Sequence, residues 1–257
     1  METALITGAS SGIGLELARL FAADKSNLVL VARRGDRLMA LADELQQQHG
    51  ITAQVLAKDL TNPDAPREIF EELAHKNVVI DVLVNNAGFG SLGSIAALDL
   101  KRQLDMIQVN ITALVYLTRL FLPGLIERNR GGILNVGSTA AFQPGPYLTV
   151  YYASKAFVLH FTEGLAEELN GRNIRVSCLC PGPTTTEFAA AANMESAPLF
   201  RFGAMSAEAV ARIGYRGFRK GKIVVVPGFK NKLGTFSVRL SPRFLVRKIT
   251  KRLQGGR

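Results

Sequence analysis

Short runs of Val, Ile and Leu alternate along this chain with segments whose apolar residues recur at helical spacing, and no other feature restricts the fold as much. Thr3–Thr7, Asn27–Ala32, Ala53–Leu56, Val79–Asn85, Gly132–Ser138, Ile174–Cys180 and Lys222–Val226 read as seven strands. Between the first of them, Gly12–Ala23 carries Ile13, Leu17, Leu20 and Phe21, and Asp36–Gln48 carries Leu38, Leu41, Ala42 and Leu45, each set on one helical face. Ala65–His75 predicts a helix opened by Asn62 or Asp64 as N-cap. Longer helical patterns follow from about Leu104 to Ile126 and over Tyr151–Leu169. The strand runs are nearly continuous in apolar residues, as strands covered on both faces are. The expected fold is a doubly wound α/β domain with a parallel sheet and right-handed crossovers. No linker divides residues 1–257, so one domain is expected.

Composition narrows the class. Of the 257 residues, 47% are apolar and 20% charged, enough apolar surface to offset chain entropy, which excludes disorder as the main state. The stretch Ala113–Ile126 is interrupted by Arg119 and Pro123 and falls short of the roughly 20 residues of a membrane span. The apolar run Ala4–Ile6 ends at Gly8, too short for a signal peptide. Two cysteines, Cys178 and Cys180, are too few for a disulfide scaffold and fit a reduced, cytoplasmic chain. His49, His75 and His160 are scattered without metal spacing, so no metal site is expected.

The net charge of +10 is unevenly placed. Residues 219–257 hold twelve of the 31 Lys and Arg and none of the 21 Asp and Glu, leaving the body with 19 basic and 21 acidic residues, a net of −2. A nucleic-acid binder spreads its basic footprint otherwise, so that class is set aside.

Three motifs carry chemistry. The loop Thr7-Gly8-Ala9-Ser10-Ser11-Gly12-Ile13-Gly14 joins the first strand to the first helix. Glycines there let a backbone approach a pyrophosphate, and the helix N-terminus adds free N–H groups and positive dipole; a plain glycine turn is the competing reading. Gly8, Ser10, Ser11, Gly12, Ile13 and Gly14 are the candidate contacts. At the end of the second strand, where an NAD site places a carboxylate for the ribose 2′-hydroxyl, stands Ala32-Arg33-Arg34. A guanidinium suits a 2′-phosphate, so Arg33 predicts NADP; a solvated surface pair is the alternative. Third, Tyr151 and Lys155 lie one helical turn apart, with Ser138 thirteen residues before Tyr151. A phenol of pKa near 10 is a poor acid–base group at neutral pH, and a neighbouring ammonium is expected to lower it.

With Asn85-Asn86-Ala87-Gly88, Asn110 and Pro181-Gly182, these motifs stand in an order that resembles the short-chain dehydrogenase/reductase family of about 250 residues, over roughly Thr3–Phe188. The resemblance implies a Rossmann-type sheet and NADPH-linked reduction of a ketone or aldehyde. It implies Tyr151 as general acid, Lys155 lowering its pKa and binding ribose, Ser138 orienting the substrate oxygen, and Asn110 holding a relay water. It implies Asp59 and Leu60 near the adenine, Asn86-Ala87-Gly88 along the cofactor, and Pro181, Gly182, Thr184 and Thr186 at the carboxamide. It also implies a homodimer or homotetramer. Ser11 stands where some NADP-dependent members carry a basic residue, which leaves the discrimination mainly to Arg33. Tyr152, three residues before Lys155, also competes for the ammonium; the family register selects Tyr151.

Pro183–Met205, with Phe188, Met194, Leu199, Phe200, Phe202 and Met205, is expected to be an apolar flap over a hydrophobic substrate, and Arg201 within it a solvated cation. From Arg239, Phe244, Leu245, Ile249 and Leu253 among Arg243, Arg247, Lys248, Lys251 and Arg252 predict a basic amphipathic helix. It packs on the body, touches an anionic membrane surface weakly, or binds another partner. The rival functions are a 3-oxoacyl thioester reductase and, in another class, a non-catalytic NADP-binding sensor or membrane-associated module.

Overall fold

The computed structural model describes residues 1–188 and 203–254. The chain starts in the middle of a parallel sheet and builds outward in two directions. Strand β1 (Thr3–Thr7) leads through α1 (Gly12–Ala23) to β2 (Asn27–Ala32), and α2 (Gly35–His49) leads on to β3 (Ala53–Ala57). Helix α3 (Ala65–His75) then returns the chain, and β4 (Val82–Asn85) pairs with the other side of β1. The second half adds α4 (Leu100–Ile107), a π-type turn at Gln108–Thr112, α5 (Ala113–Arg128), β5 (Gly131–Val136), α6 (Thr149–Glu168) and β6 (Ile174–Leu179). Two short strands, β7 (Thr184–Thr185) and β8 (Met205–Ser206), pair with each other, and α7 (Ala207–Arg219) leads to β9 (Val224–Val225) at the sheet edge. The seven-stranded sheet has the order β3-β2-β1-β4-β5-β6-β9 and is parallel throughout, as the alternation leads one to expect of a doubly wound fold.

Strand alternation sends residues to two covered faces. Ala4, Ile6, Leu28, Leu30, Val82, Val84, Leu134 and Leu179 meet α1, α2 and α7. Leu5, Val29, Val31, Leu83, Ile133 and Val176 meet α3, α5 and α6. One polar ladder crosses this second layer. Asn85 Nδ2 donates to Asn135 Oδ1 (2.9 Å) and Thr118 Oγ1 (3.2 Å), and Asn135 Nδ2 donates to Thr162 Oγ1 (3.0 Å), which ties β4 and β5 to α5 and α6. Every member is buried, so each satisfies a group that water cannot reach.

Several boundaries differ from the sequence expectation. The fourth strand begins at Val82, because Asp81 turns in to accept from the Thr3 amide. The last strand keeps only Val224 and Val225, since only the end of β6 is beside it. Asp64 sits at the start of α3 but bonds no helix amide with its side chain; Asn62 Oδ1 accepts from the Asp64 amide instead. The apolar helix is longer than read: Leu100–Arg128 is long and apolar enough by composition to cross a membrane. Its Met106, Ala113, Leu117 and Leu125 are buried in the core. Of the expected flap, Met194, Leu199, Phe200, Arg201 and Phe202 lie outside the described residues.

The C-terminal segment forms two helices, α8 (Phe229–Leu240) and α9 (Arg243–Leu253), separated at Ser241-Pro242. The expected basic helix is there, preceded by a further helix that the sequence reading did not separate from it. Val246 and Thr250 turn inward, and Phe244, Leu245, Ile249 and Leu253 stay exposed.

Candidate active site

The strand order reverses between β1 and β4, and the crevice beyond the carboxyl ends of the strands opens there. A cavity of about 460 Å³ fills it. Of the candidate catalytic and cofactor-binding residues, all line it except Gly14 and Asn110, which lie just behind its wall.

The glycine loop is fastened from the β4 side. Thr7 Oγ1 accepts from the amides of Asn86 and Ala87 (both 3.0 Å), and Asn86 Nδ2 donates to the carbonyls of Thr7 (2.8 Å) and Gly8 (3.2 Å). Gly8 has φ +67°, and a Cβ on Gly14 would sit 2.4 Å from both Asn86 Nδ2 and the Gly8 carbonyl. The loop therefore closes only with hydrogen at those positions. No acidic residue stands in the first turn of α1, so its positive end is uncompensated by the chain.

At the end of β2, Arg33 lines the cavity rim with an exposed side chain. Its neighbour Arg34 reaches inward: Nη2 donates to Ser11 Oγ (2.9 Å) and Ser10 Oγ (3.1 Å), and Nη1 pairs with Glu187 (2.7 Å). Arg37 pairs with the other oxygen of Glu187 (2.6 Å). Arg37 first, and then Arg34, hold this carboxyl down to about 2. The sequence ranks Arg33 ahead of Arg34, and it offers no signal for Lys58 or Glu187 at this end. Asp59 lines the same end, and its Oδ1 accepts from the Thr61 amide (3.0 Å).

Tyr151, Ser138 and Lys155 meet at the other end. Ser138 follows β5 and its Oγ accepts from the Ala140 amide (3.0 Å). Tyr151 and Lys155 share one face of α6. Burial pushes the Tyr151 phenol up, and the facing Ser138 hydroxyl opposes that only in part. Burial also lowers Lys155 to about 8, with the nearby Cys178 and Cys180 pulling the other way. Burial, not the Lys155 ammonium, is the largest influence on the tyrosine. Lys155 Nζ donates to the Val136 carbonyl (2.8 Å) and lies 5.9 Å from the Tyr151 ring centre, and desolvation dominates both groups.

Asn110 sits in the π-type turn between α4 and α5, a local widening often found at functional positions. Its Oδ1 accepts from the Phe89 amide (3.1 Å), and its Nδ2 donates to the Phe89 carbonyl (3.1 Å) and to Ser154 Oγ (3.0 Å). Ser154, absent from the sequence reading, donates in turn to the Tyr151 carbonyl (2.7 Å). Phe188 packs on the Tyr151 ring at 5.3 Å, and Leu148 and Tyr152 complete an apolar wall. The Tyr152 hydroxyl faces Gln143 and Gln254, the latter buried just past α9.

Known proteins share this fold. The model of the short chain dehydrogenase family matches residues 2–197. NADP-dependent 3-hydroxy acid dehydrogenase YdfG of Salmonella typhi is 41% identical over 179 residues, 69% of this chain and 71% of that one. A very-long-chain 3-oxoacyl-CoA reductase of Anas platyrhynchos is 36% identical over 69% of this chain, which spans 58% of that relative's length. A solved short-chain dehydrogenase from Sphingobium yanoikuyae in complex with NADPH superposes with a TM-score of 0.84 at 32% identity, covering 93% of this chain and 94% of that one. The chain belongs to the short-chain dehydrogenase family, oxidoreductases acting on CH–OH and C=O groups.

Proposed function

We propose that the protein reduces an apolar ketone or aldehyde to an alcohol with NADPH. The observation that carries this reading is the group of half-buried Tyr151 with buried Ser138 and Lys155 at one end of a cavity whose other end joins a glycine loop to Arg33, Arg34 and Lys58. The cavity residues fit a dinucleotide: the uncompensated end of α1 suits the pyrophosphate, and the cations after β2 and β3 suit a 2′-phosphate. A reduced nicotinamide bound there supplies the hydride. Tyr151, kept neutral by burial, holds a proton for the carbonyl oxygen, and Ser138 orients that oxygen. Lys155 stays charged at neutral pH and serves the ribose. Asn110 has both of its N–H groups and its oxygen engaged, so it holds the Gly88–Phe89 turn against α6 beside the relay role that the resemblance implies.

Phe89, Leu148, Tyr152 and Phe188 support an apolar substrate. A 3-oxoacyl thioester is the second reading, supported by the similarity to the duck reductase and by the basic helices α8 and α9 beside the cavity. Exposed Leu100, Leu104 and Ile107 on α4 and Phe157 on α6 support a homodimer or homotetramer through the helices that carry Asn110 and Tyr151. The free, buried Cys178 and Cys180 support a reducing, cytoplasmic setting. The test is NADPH consumption against ketones, aldehydes and 3-oxoacyl thioesters, with Tyr151→Phe as control. Turnover that collapses in the variant supports the reading. Tight NADPH binding with no turnover of any compound moves the non-catalytic sensor to the front.

A further inference from the structure

Helix α8 is amphipathic in the reverse sense. Phe229, Leu233, Phe236 and Leu240 follow one another at intervals of four, three and four residues and form a single stripe. That stripe points to solvent: the four side chains are 79%, 57%, 58% and 74% exposed. The opposite face, Asn231, Thr235 and Val238, is half-buried against the body. Lys230 flanks the stripe on one side and Lys232 and Arg239 on the other. Helix α9 extends the surface. Phe244 and Ile249 are exposed beside Lys248 and Arg252, while Val246 and Thr250 anchor the helix to the body. Large apolar side chains grouped on a surface mark a contact site. The absence of any acidic residue from 219 to 257 says what kind. A second copy of the same face would bring like charges together, whereas anionic headgroups neutralise them.

We propose that α8 and α9 dock on an anionic lipid bilayer, with the α8 stripe at the headgroup–acyl boundary and the flanking Lys and Arg at the phosphates. The helix pair adjoins the substrate end of the cavity. The side chain of Asn231 covers Gly182, and Lys251 Nζ lies 5.9 Å from the Tyr147 ring centre. Gln254, buried just past α9, faces the Tyr152 hydroxyl. Docking therefore brings the mouth of the cavity to a surface where apolar carbonyl compounds concentrate. That consequence rests on the reductase reading; the docking does not.

The test uses the full-length protein and sucrose-loaded vesicles, one set of phosphatidylcholine alone and one with added phosphatidylglycerol. The expected result is cosedimentation with the anionic vesicles, weakened by high salt. Lys232→Glu/Arg239→Glu lowers the bound fraction at limiting lipid by about tenfold or more, and Leu233→Ser/Phe236→Ser does so comparably, with melting curves like wild type because all four side chains are exposed. No binding to anionic vesicles overturns the proposal. Equal binding to both vesicle types, or binding indifferent to both variants, also overturns it. A dimer that Leu233→Ser/Phe236→Ser dissolves, in a protein without lipid binding, assigns the face to a second copy instead. None of these readings depends on turnover, so a failed reductase assay leaves the docking result standing.

Discussion

The sheet and the C-terminal helix pair use the same residue types in opposite directions. In the sheet half, helix stripes such as Leu17, Phe21 and Leu38, Leu41, Leu45 close on strand residues and leave polar residues outside. In α8 an equally regular stripe turns outward, and small or polar residues meet the body. A stripe of given period predicts a helix in both cases, but its direction depends on what else competes for the inside. Helix α8 meets the body at the Thr139–Phe142 turn and, through Asn231, at Gly182, where the facing surface is backbone and short side chains rather than an open apolar groove.

The contrast is testable by substitution. The largest effect belongs to the sheet half's chemistry: Tyr151→Phe lowers kcat by about 10²–10⁴-fold while NADPH affinity, read by fluorescence, is kept. Next comes the buried ladder. Asn135→Ala strips partners from Asn85 and Thr162 and costs about 1–3 kcal/mol in urea unfolding. Arg34→Ala raises the KM for NADPH by about tenfold and narrows the preference over NADH. The parallel Arg33→Ala variant shows which guanidinium does more; a flat response to both removes the 2′-phosphate assignment. For pH, Lys155 is a cation only below about 8. The free-enzyme kcat/KM for NADPH therefore falls as pH rises through about 8. The unfolded chain binds its lysine proton more tightly, with the ordinary value 10.5, so the stability contribution of Lys155 rises from about pH 8 to 10.5, opposite to the activity. Loss of that kcat/KM limb in wild type excludes the role given to Lys155. The smallest effect belongs to the outward stripe: Leu240→Ser changes unfolding free energy by no more than about 0.5 kcal/mol. A cost of several kcal/mol there would mean that the face is covered in solution.

The strands, the crossovers and the glycine loop were legible because each depends on local pattern, while most of the remaining cavity residues followed from the family resemblance. Continuous apolar runs mark strands covered on both faces, and a glycine loop between a strand and a helix marks the phosphate end. Arg34, Glu187 and Ser154 were not legible in that way. Arg34 and Arg37 meet Glu187 across about 150 residues of chain, and Ser154 matters only because the π-type turn delivers Asn110 to it. The tyrosine's proton affinity was not legible for a related reason. One helical turn between Tyr151 and Lys155 is a sequence fact, but the desolvation of both is a property of the assembled cavity wall.

By itself, the sequence determined the strand–helix alternation through Ile174–Leu179, the parallel sheet and the glycine loop, because period and turn chemistry act over a few residues at a time; most of the other cavity residues came from the family resemblance. The tertiary structure alone decided which cation faces Ser10 and Ser11, how tightly Tyr151 holds its proton, and that the last two helices present Phe229, Leu233, Phe236 and Leu240 to the outside. Those outcomes depend on desolvation and on which surface is left over once the core is full, and both are set by residues distant in the chain.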